Sequence, residues 1–112
     1  MVKKYRVIVL PQAQEGLRQQ LAYLRRTQNA SEQQIKRVRR VIMETIRSLK
    51  TMPEKNEKLH EICDEQTVYH RAFKWDYRII YTINEEQVTV LVVDIDHVAD
   101  DPRKLLDKFK DE

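Results

Sequence analysis

Arg71 and Arg78 are the side chains of this sequence best suited to hold an anion, because each lies in an apolar run that alternates like a β-strand. A guanidinium presents a planar fork of donors that fits a carboxylate or a phosphate. Over residues 67–73, alternation sets Tyr69, Arg71 and Phe73 on one side and Val68, His70 and Ala72 on the other. Over residues 77–83, Tyr77, Ile79, Tyr81 and Ile83 alternate with Arg78, Ile80 and Thr82. The side carrying Arg71 and Arg78, with some aromatic surface, is expected to be exposed and to act as a docking face. Each arginine has a competing reading as half of an ion pair, and for Arg78 the partner would be Asp94 or Asp96 across the sheet. Residues 36–50 form a second cationic feature: Lys36, Arg37, Arg39, Arg40, Arg47 and Lys50 stand against a lone Glu44. This run, Arg37 and Arg40 included, suits a phosphate backbone, an acidic protein partner or simply a solvated helix face. Trp75, between the two strand-like runs, could anchor a partner, since tryptophan is favoured at binding hot spots. It could equally fold back on the sheet edge.

Other chemistries find little to work with. Gly16 is the only glycine, so neither a phosphate-cradling loop nor a dinucleotide fingerprint can be built. Cys63 is the only cysteine, which leaves no internal disulfide and no cysteine-based zinc cluster and fits a reducing cytoplasm. Asp94, Asp96 and His97 look like metal ligands on paper, yet alternation sends Asp96 and His97 to opposite faces, so no metal is expected. His70 shares its side with Val68 and Ala72 and reads as structural, while His60 sits in a polar stretch without an evident partner. No cofactor is expected either. No apolar run is longer than that of residues 90–93, which is far too short to cross a bilayer, and residues 1–6 lack the apolar stretch of a signal peptide. A cytoplasmic protein is the expectation, with residues 1–112 forming one domain around one core. The formal net charge of +3 says less than its distribution.

These residues need elements to carry them. Residues 5–10 form a short β-branched run closed by Pro11, a first strand. Pro11 suits the first turn of a helix, and Ala13, Leu17, Leu21 and Leu24 recur at helical spacing after it. Gly16 weakens that helix by about 1 kcal/mol relative to alanine without ending it. Ser31 and Gln34 have capping-box spacing, and Ile35, Val38, Ile42, Ile46 and Leu49 form the stripe of a second helix bounded by Pro53. Residues 54–65 are polar and read as loop with at most a turn of helix. Strands are expected over residues 67–73, 77–83 and 88–95, joined by hairpin-length connectors, with the last of them central and the first strand at its edge. Residues 102–110, with Leu105, Leu106 and Phe109, read as a short terminal helix. The expected fold is α+β, ordered β-α-α-β-β-β. An N-terminal helix hairpin packs on one face of a small, mainly antiparallel four-stranded sheet, and the other face stays open.

The string Tyr77-Arg78-Ile79-Ile80-Tyr81, with the apolar strand ending Asp94-Ile95-Asp96-His97, resembles the RelE/ParE toxin superfamily of type II toxin–antitoxin systems. The opening Lys4-Tyr5-Arg6-Val7, the helix with Pro11 and Ala13, and the helix ending Ser48-Leu49-Lys50-Thr51-Met52-Pro53 match in the same order. The likeness spans nearly the whole chain, and the long helix hairpin looks more like the ParE branch.

The resemblance implies a plasmid-stabilisation-type toxin that inhibits growth and is neutralised by a cognate antitoxin wrapped along it. RelE-like members cut mRNA on the ribosome, whereas ParE-like members block DNA gyrase. A metal-independent endoribonuclease would need an acid, a base and positive charge at the transition state. Arg78 matches the family's phosphate-facing arginine, Arg71 a basic position on the preceding strand, and His97 a strand-end histidine able to carry a proton. Against this, Val98 stands where RNA-cutting members usually have another arginine, and no tyrosine follows Tyr81. Asp94, Asp96, Asp100 and Asp101 make the neighbourhood acidic. The reading favours a non-nuclease that binds gyrase. A ribosome-dependent mRNA endonuclease is the alternative, and a homologue without activity stands behind both.

Overall fold

A computed structural model describes residues 3–108 of the chain. The expected Phe109 and Lys110 of the terminal helix lie outside the described residues. Strand β1 (Arg6–Val9) is built from β-branched residues and stops where Pro11 opens helix α1 (Pro11–Thr27). Helix α2 (Glu32–Arg47) begins at a complete capping box: the Gln34 N–H donates to Ser31 Oγ at 3.1 Å, and the Ser31 N–H donates to Gln34 Oε1 at 2.7 Å. A 3₁₀ turn at Ser48–Lys50 continues it toward Pro53. Strands β2 (His70–Lys74), β3 (Tyr77–Asn84) and β4 (Thr89–His97) follow, then the short helix α3 (Lys104–Lys108).

The sheet order is β1-β4-β3-β2, with β1 parallel to β4 and the other pairs antiparallel. This is the expected α+β architecture, with β1 on the edge and β4 inside. Strand β2 starts later than expected because residues 64–69 bond elsewhere. The N–H groups of Gln66 and Thr67 donate to Asp64 Oδ1 at 2.8 and 2.7 Å, and the Tyr69 N–H donates to Cys63 Sγ at 3.3 Å. Helices α1 and α2 cover one face of the sheet. There Ala13, Leu17, Leu21, Ile35, Ile42 and Ile46 meet Ala72, Ile79, Tyr81, Val90, Val92 and Ile95.

The opposite face is not open as expected. Leu59 and Ile62 from the connector and Leu105 from α3 close over Tyr69, Ile80 and Val93. Each such fully buried side chain contributes roughly 1.5–3 kcal/mol. Both capping segments are too short for their apolar residues to establish a period, so the cover is invisible in the pattern.

Two local features set the geometry of β4. A register shift pairs Ile80 with Asp94 but Tyr81 with Val92, which leaves Val93 as an extra residue. Without this bulge Ile95 would leave the helix side and Asp96 would turn toward it. With it, Asp96 arrives opposite Arg78. The second feature is Gly16. Strand β1 ends opposite Val92, the Leu10 N–H donates to Val92 O at 3.0 Å, and α1 then runs against the remainder of β4. A Cβ at Gly16 would lie 2.5 Å from Ile95 O and 2.8 Å from Asp94 Oδ1. The only glycine is there because helix and strand backbones touch.

The edge of the fold near β1 predicts an alkaline transition. The Tyr5 hydroxyl donates to Glu85 Oε2 at 2.7 Å, and this hydrogen bond to a carboxylate, first among its causes, pushes the phenol up to about 12 from 10.0. A raised phenol keeps its proton in the folded chain where the unfolded chain has lost it. This contribution to stability is therefore complete below pH 10 and is lost as pH rises toward 12. Urea unfolding across that range should show falling stability for the native chain and a shallower fall for Tyr5→Phe. An identical slope would remove the Glu85 contact from the account.

Candidate functional site

Arg78 and Asp96 face each other across β3 and β4, and alternation below the bulge turns both away from the helices. The Arg78 Nε donates to Asp96 Oδ1 at 2.9 Å, and Nη2 donates to Asp96 Oδ2 at 2.6 Å and to the Asp100 carbonyl at 3.0 Å. Arg78 is 6% exposed, so the expectation of a free guanidinium on an open face is corrected. Its fork is filled by Asp96, one of the two partners the sequence left open. Burial pushes the Asp96 carboxyl up, and Arg78 pulls against that only in part. Asp94 has its own cation, since Lys108 Nζ donates to Asp94 Oδ2 at 2.8 Å.

Arg71 lies on the same face as Arg78, separated from it by Phe73 and Ile80 in the register of β2 and β3. Its side chain is 25% exposed, and Nη2 donates to Glu57 Oε2 at 2.6 Å. The guanidinium carbon sits 4.8 Å from the Phe73 ring centroid. Arg71 is thus a held cation, mostly covered but still in contact with solvent.

His97 is on the other side of the sheet. It pairs with Tyr77, and the two rings meet edge to face with centroids 6.2 Å apart. The Ala99 N–H donates to His97 Nδ1 at 3.0 Å, which assigns the ring proton of the neutral form to Nε2. The ring opens on a groove shared with Gln20, Tyr23 and Arg26 of α1. Arg71, Arg78 and His97 are therefore not brought to one point.

Trp75 and Arg37, far apart in sequence, do converge. Lys74 pairs with Tyr77, leaving Trp75 and Asp76 as the hairpin loop. Trp75 is 50% exposed, and its φ of 52° is left-handed, a conformation that costs an L residue roughly 1–2 kcal/mol. It borders an open groove of about 490 Å³ whose wall includes Leu24, Ala30, Gln34, Arg37 and Val38. Arg40 is exposed one turn further along α2, with its Nε 3.9 Å from Glu44 Oε1. The sequence singled out Trp75, Arg37 and Arg40 separately. The proximity of Trp75 and Arg37 depends on the hairpin tip of the helices reaching the β2–β3 turn, which spacing does not reveal.

Of the remaining candidates, His70 and Cys63 are tied into the fold. His70 is buried, stacks on Tyr81 at 5.5 Å and has Nδ1 3.0 Å from the Asn56 carbonyl. The Cys63 thiol donates to the Leu59 carbonyl at 3.2 Å, and His60 is exposed. Among the described residues, no group of three His, Cys, Asp or Glu side chains could hold a metal ion. No helix among them is long and apolar enough to cross a membrane.

Comparison with known proteins agrees with this architecture. The RelBE2 toxin–antitoxin complex from Mycobacterium tuberculosis contains a chain of similar fold, with a TM-score of 0.60 at 21% identity, covering 84% of this chain and 98% of that one. The RelE–RelB complex from the archaeon Pyrococcus horikoshii OT3 gives a TM-score of 0.54 at 21% identity, covering 88% of this chain and 99% of that one. No curated protein sequence matches. A family model described as the ParE toxin of the type II toxin–antitoxin system parDE matches residues 7–102. That span runs from β1 through β4, and the chain belongs to the ParE toxin family of type II toxin–antitoxin systems.

Proposed function

We propose that this chain is a cytoplasmic, single-domain toxin that inhibits growth by binding a target, DNA gyrase, and is neutralised by a cognate antitoxin. The observation that carries the binding reading is the state of Arg78. A nuclease needs cationic donors free to meet a developing phosphorane charge. Here the Arg78 guanidinium is taken by Asp96 through two hydrogen bonds of 2.9 and 2.6 Å, and His97 faces away on the helix side. Membership of the ParE branch points the same way. The antitoxin is inferred from the family and from the two similar folds, one described as a toxin–antitoxin complex and the other as a RelE–RelB complex. Plasmid stabilisation is the role such a pair would serve.

Expression of the chain without a neutralising partner tests the reading. Gyrase inhibition should give filamentous cells with a DNA-damage response while protein synthesis continues. Immediate arrest of protein synthesis with cleaved ribosome-bound mRNA would overturn it in favour of the endonuclease. Normal growth at high expression would remove the toxic activity altogether.

A further inference from the structure

We propose that the groove between the helix-hairpin tip and the β2–β3 turn docks an acidic peptide segment that inserts an apolar side chain against Trp75. This deepens the partner-binding part of the reading above and rests on it. The first argument is the backbone of Trp75. Two-residue hairpin loops favour glycine where φ must be positive, yet Trp75 occupies such a position at φ 52° with half of its surface exposed. A turn alone would be better made by glycine. A large ring held in strained backbone, and only partly covered, calls for a contact from outside the chain.

The second argument is charge. Arg37 lines the groove, and Arg40 follows it one turn along α2 at i+3. Of the carboxylates nearby, Glu44 sits 3.9 Å from Arg40, and Glu32 is held by Arg25 at 3.0 Å. Asp76 stands beside Trp75, while Lys74 brings Nζ to 5.8 Å from the Trp75 ring centroid. The surplus is cationic, and it adjoins an apolar wall of Leu24, Ala30 and Val38. Cations alone would suit a nucleic-acid backbone. Cations beside an apolar wall and an aromatic ring suit a peptide with carboxylates on one side and an apolar residue on the other.

Trp75 is the only tryptophan, so intrinsic fluorescence reports on the groove itself. The probes are a tryptophan-free amphipathic peptide of Glu and Leu, its Lys and Leu counterpart, and a short DNA duplex. The acidic peptide should shift the emission to the blue and shield the ring from acrylamide in a saturable way. R37E/R40E should weaken that response at least tenfold with an unchanged circular dichroism spectrum. Trp75→Gly, read by anisotropy of a labelled acidic peptide, should lose binding while unfolding at the same or a higher temperature, because glycine relieves the left-handed strain. No response to the acidic peptide, an equal response to the basic one, or tighter binding to DNA would each overturn the proposal. So would a blue shift that grows with the chain's own concentration, which would make a second copy the occupant. A chain that arrests growth yet ignores the acidic peptide would sink only the groove. Normal growth with intact peptide binding would sink only the toxin reading.

Discussion

Alanine at Gly16 is expected to destabilise the chain by about 1–3 kcal/mol, the range for forcing extra volume into a packed site. The sign is the informative part. Glycine inside a helix is normally about 1 kcal/mol worse than alanine, so at an exposed position the same change would stabilise. At Gly16 the added methyl would meet the Ile95 carbonyl at 2.5 Å and Asp94 Oδ1 at 2.8 Å. The nearer atom belongs to the backbone of a central strand and cannot rotate away. Helix α1 would have to lift from β4, loosening Leu17 and Leu21 together. Urea or thermal unfolding checks this directly, and a G16A chain as stable as the parent or more so would mean that the two backbones do not touch.

Removing the Arg78 side chain should have a larger effect still. Arg78→Met leaves the Asp96 carboxylate buried without its cation, a loss on the order of 3–5 kcal/mol. Breaking one partner of a buried pair is costly, whereas replacing both by apolar residues of similar volume is often neutral or stabilising. The double variant R78M/D96L should therefore recover most of the loss, and the coupling between the sites should appear in a double-mutant cycle. If Arg78→Met instead unfolds at the parent's urea midpoint, the guanidinium is free. The anion-gripping reading of that strand would then return. The same result governs how activity tests are read: a silent R78A chain in cells would report lost folding before it reported lost chemistry.

Much of this arrangement was legible because it is periodic. The stripe of Ala13, Leu17 and Leu21, the stripe of Ile35, Ile42 and Ile46, the Ser31 and Gln34 cap and strands β3 and β4 appear where spacing sets them, while β2 begins at His70 rather than at residue 67. Alternation also correctly sent His97 away from Asp96 and kept Arg71 on the side of Arg78. Three things could not be read. Leu59, Ile62 and Leu105 sit in segments too short to show a period, so the covered far face looked open. The bulge at Val93 shifts the register by one, and without it the choice between Asp94 and Asp96 as partner of Arg78 has no basis. The left-handed turn at Trp75 carries no glycine to announce it. In each case a tertiary contact overrides a local rule.

Binding of a target rather than cleavage of RNA is the claim on which the functional account stands. Its most direct test is a supercoiling assay with purified gyrase and the purified chain, run beside a ribosome–mRNA cleavage assay. The account predicts that the chain blocks supercoiling, leaves ribosome-bound mRNA intact, and keeps its effect on gyrase when His97 is changed to alanine. Unimpaired gyrase together with mRNA cuts that vanish in His97→Ala would contradict it.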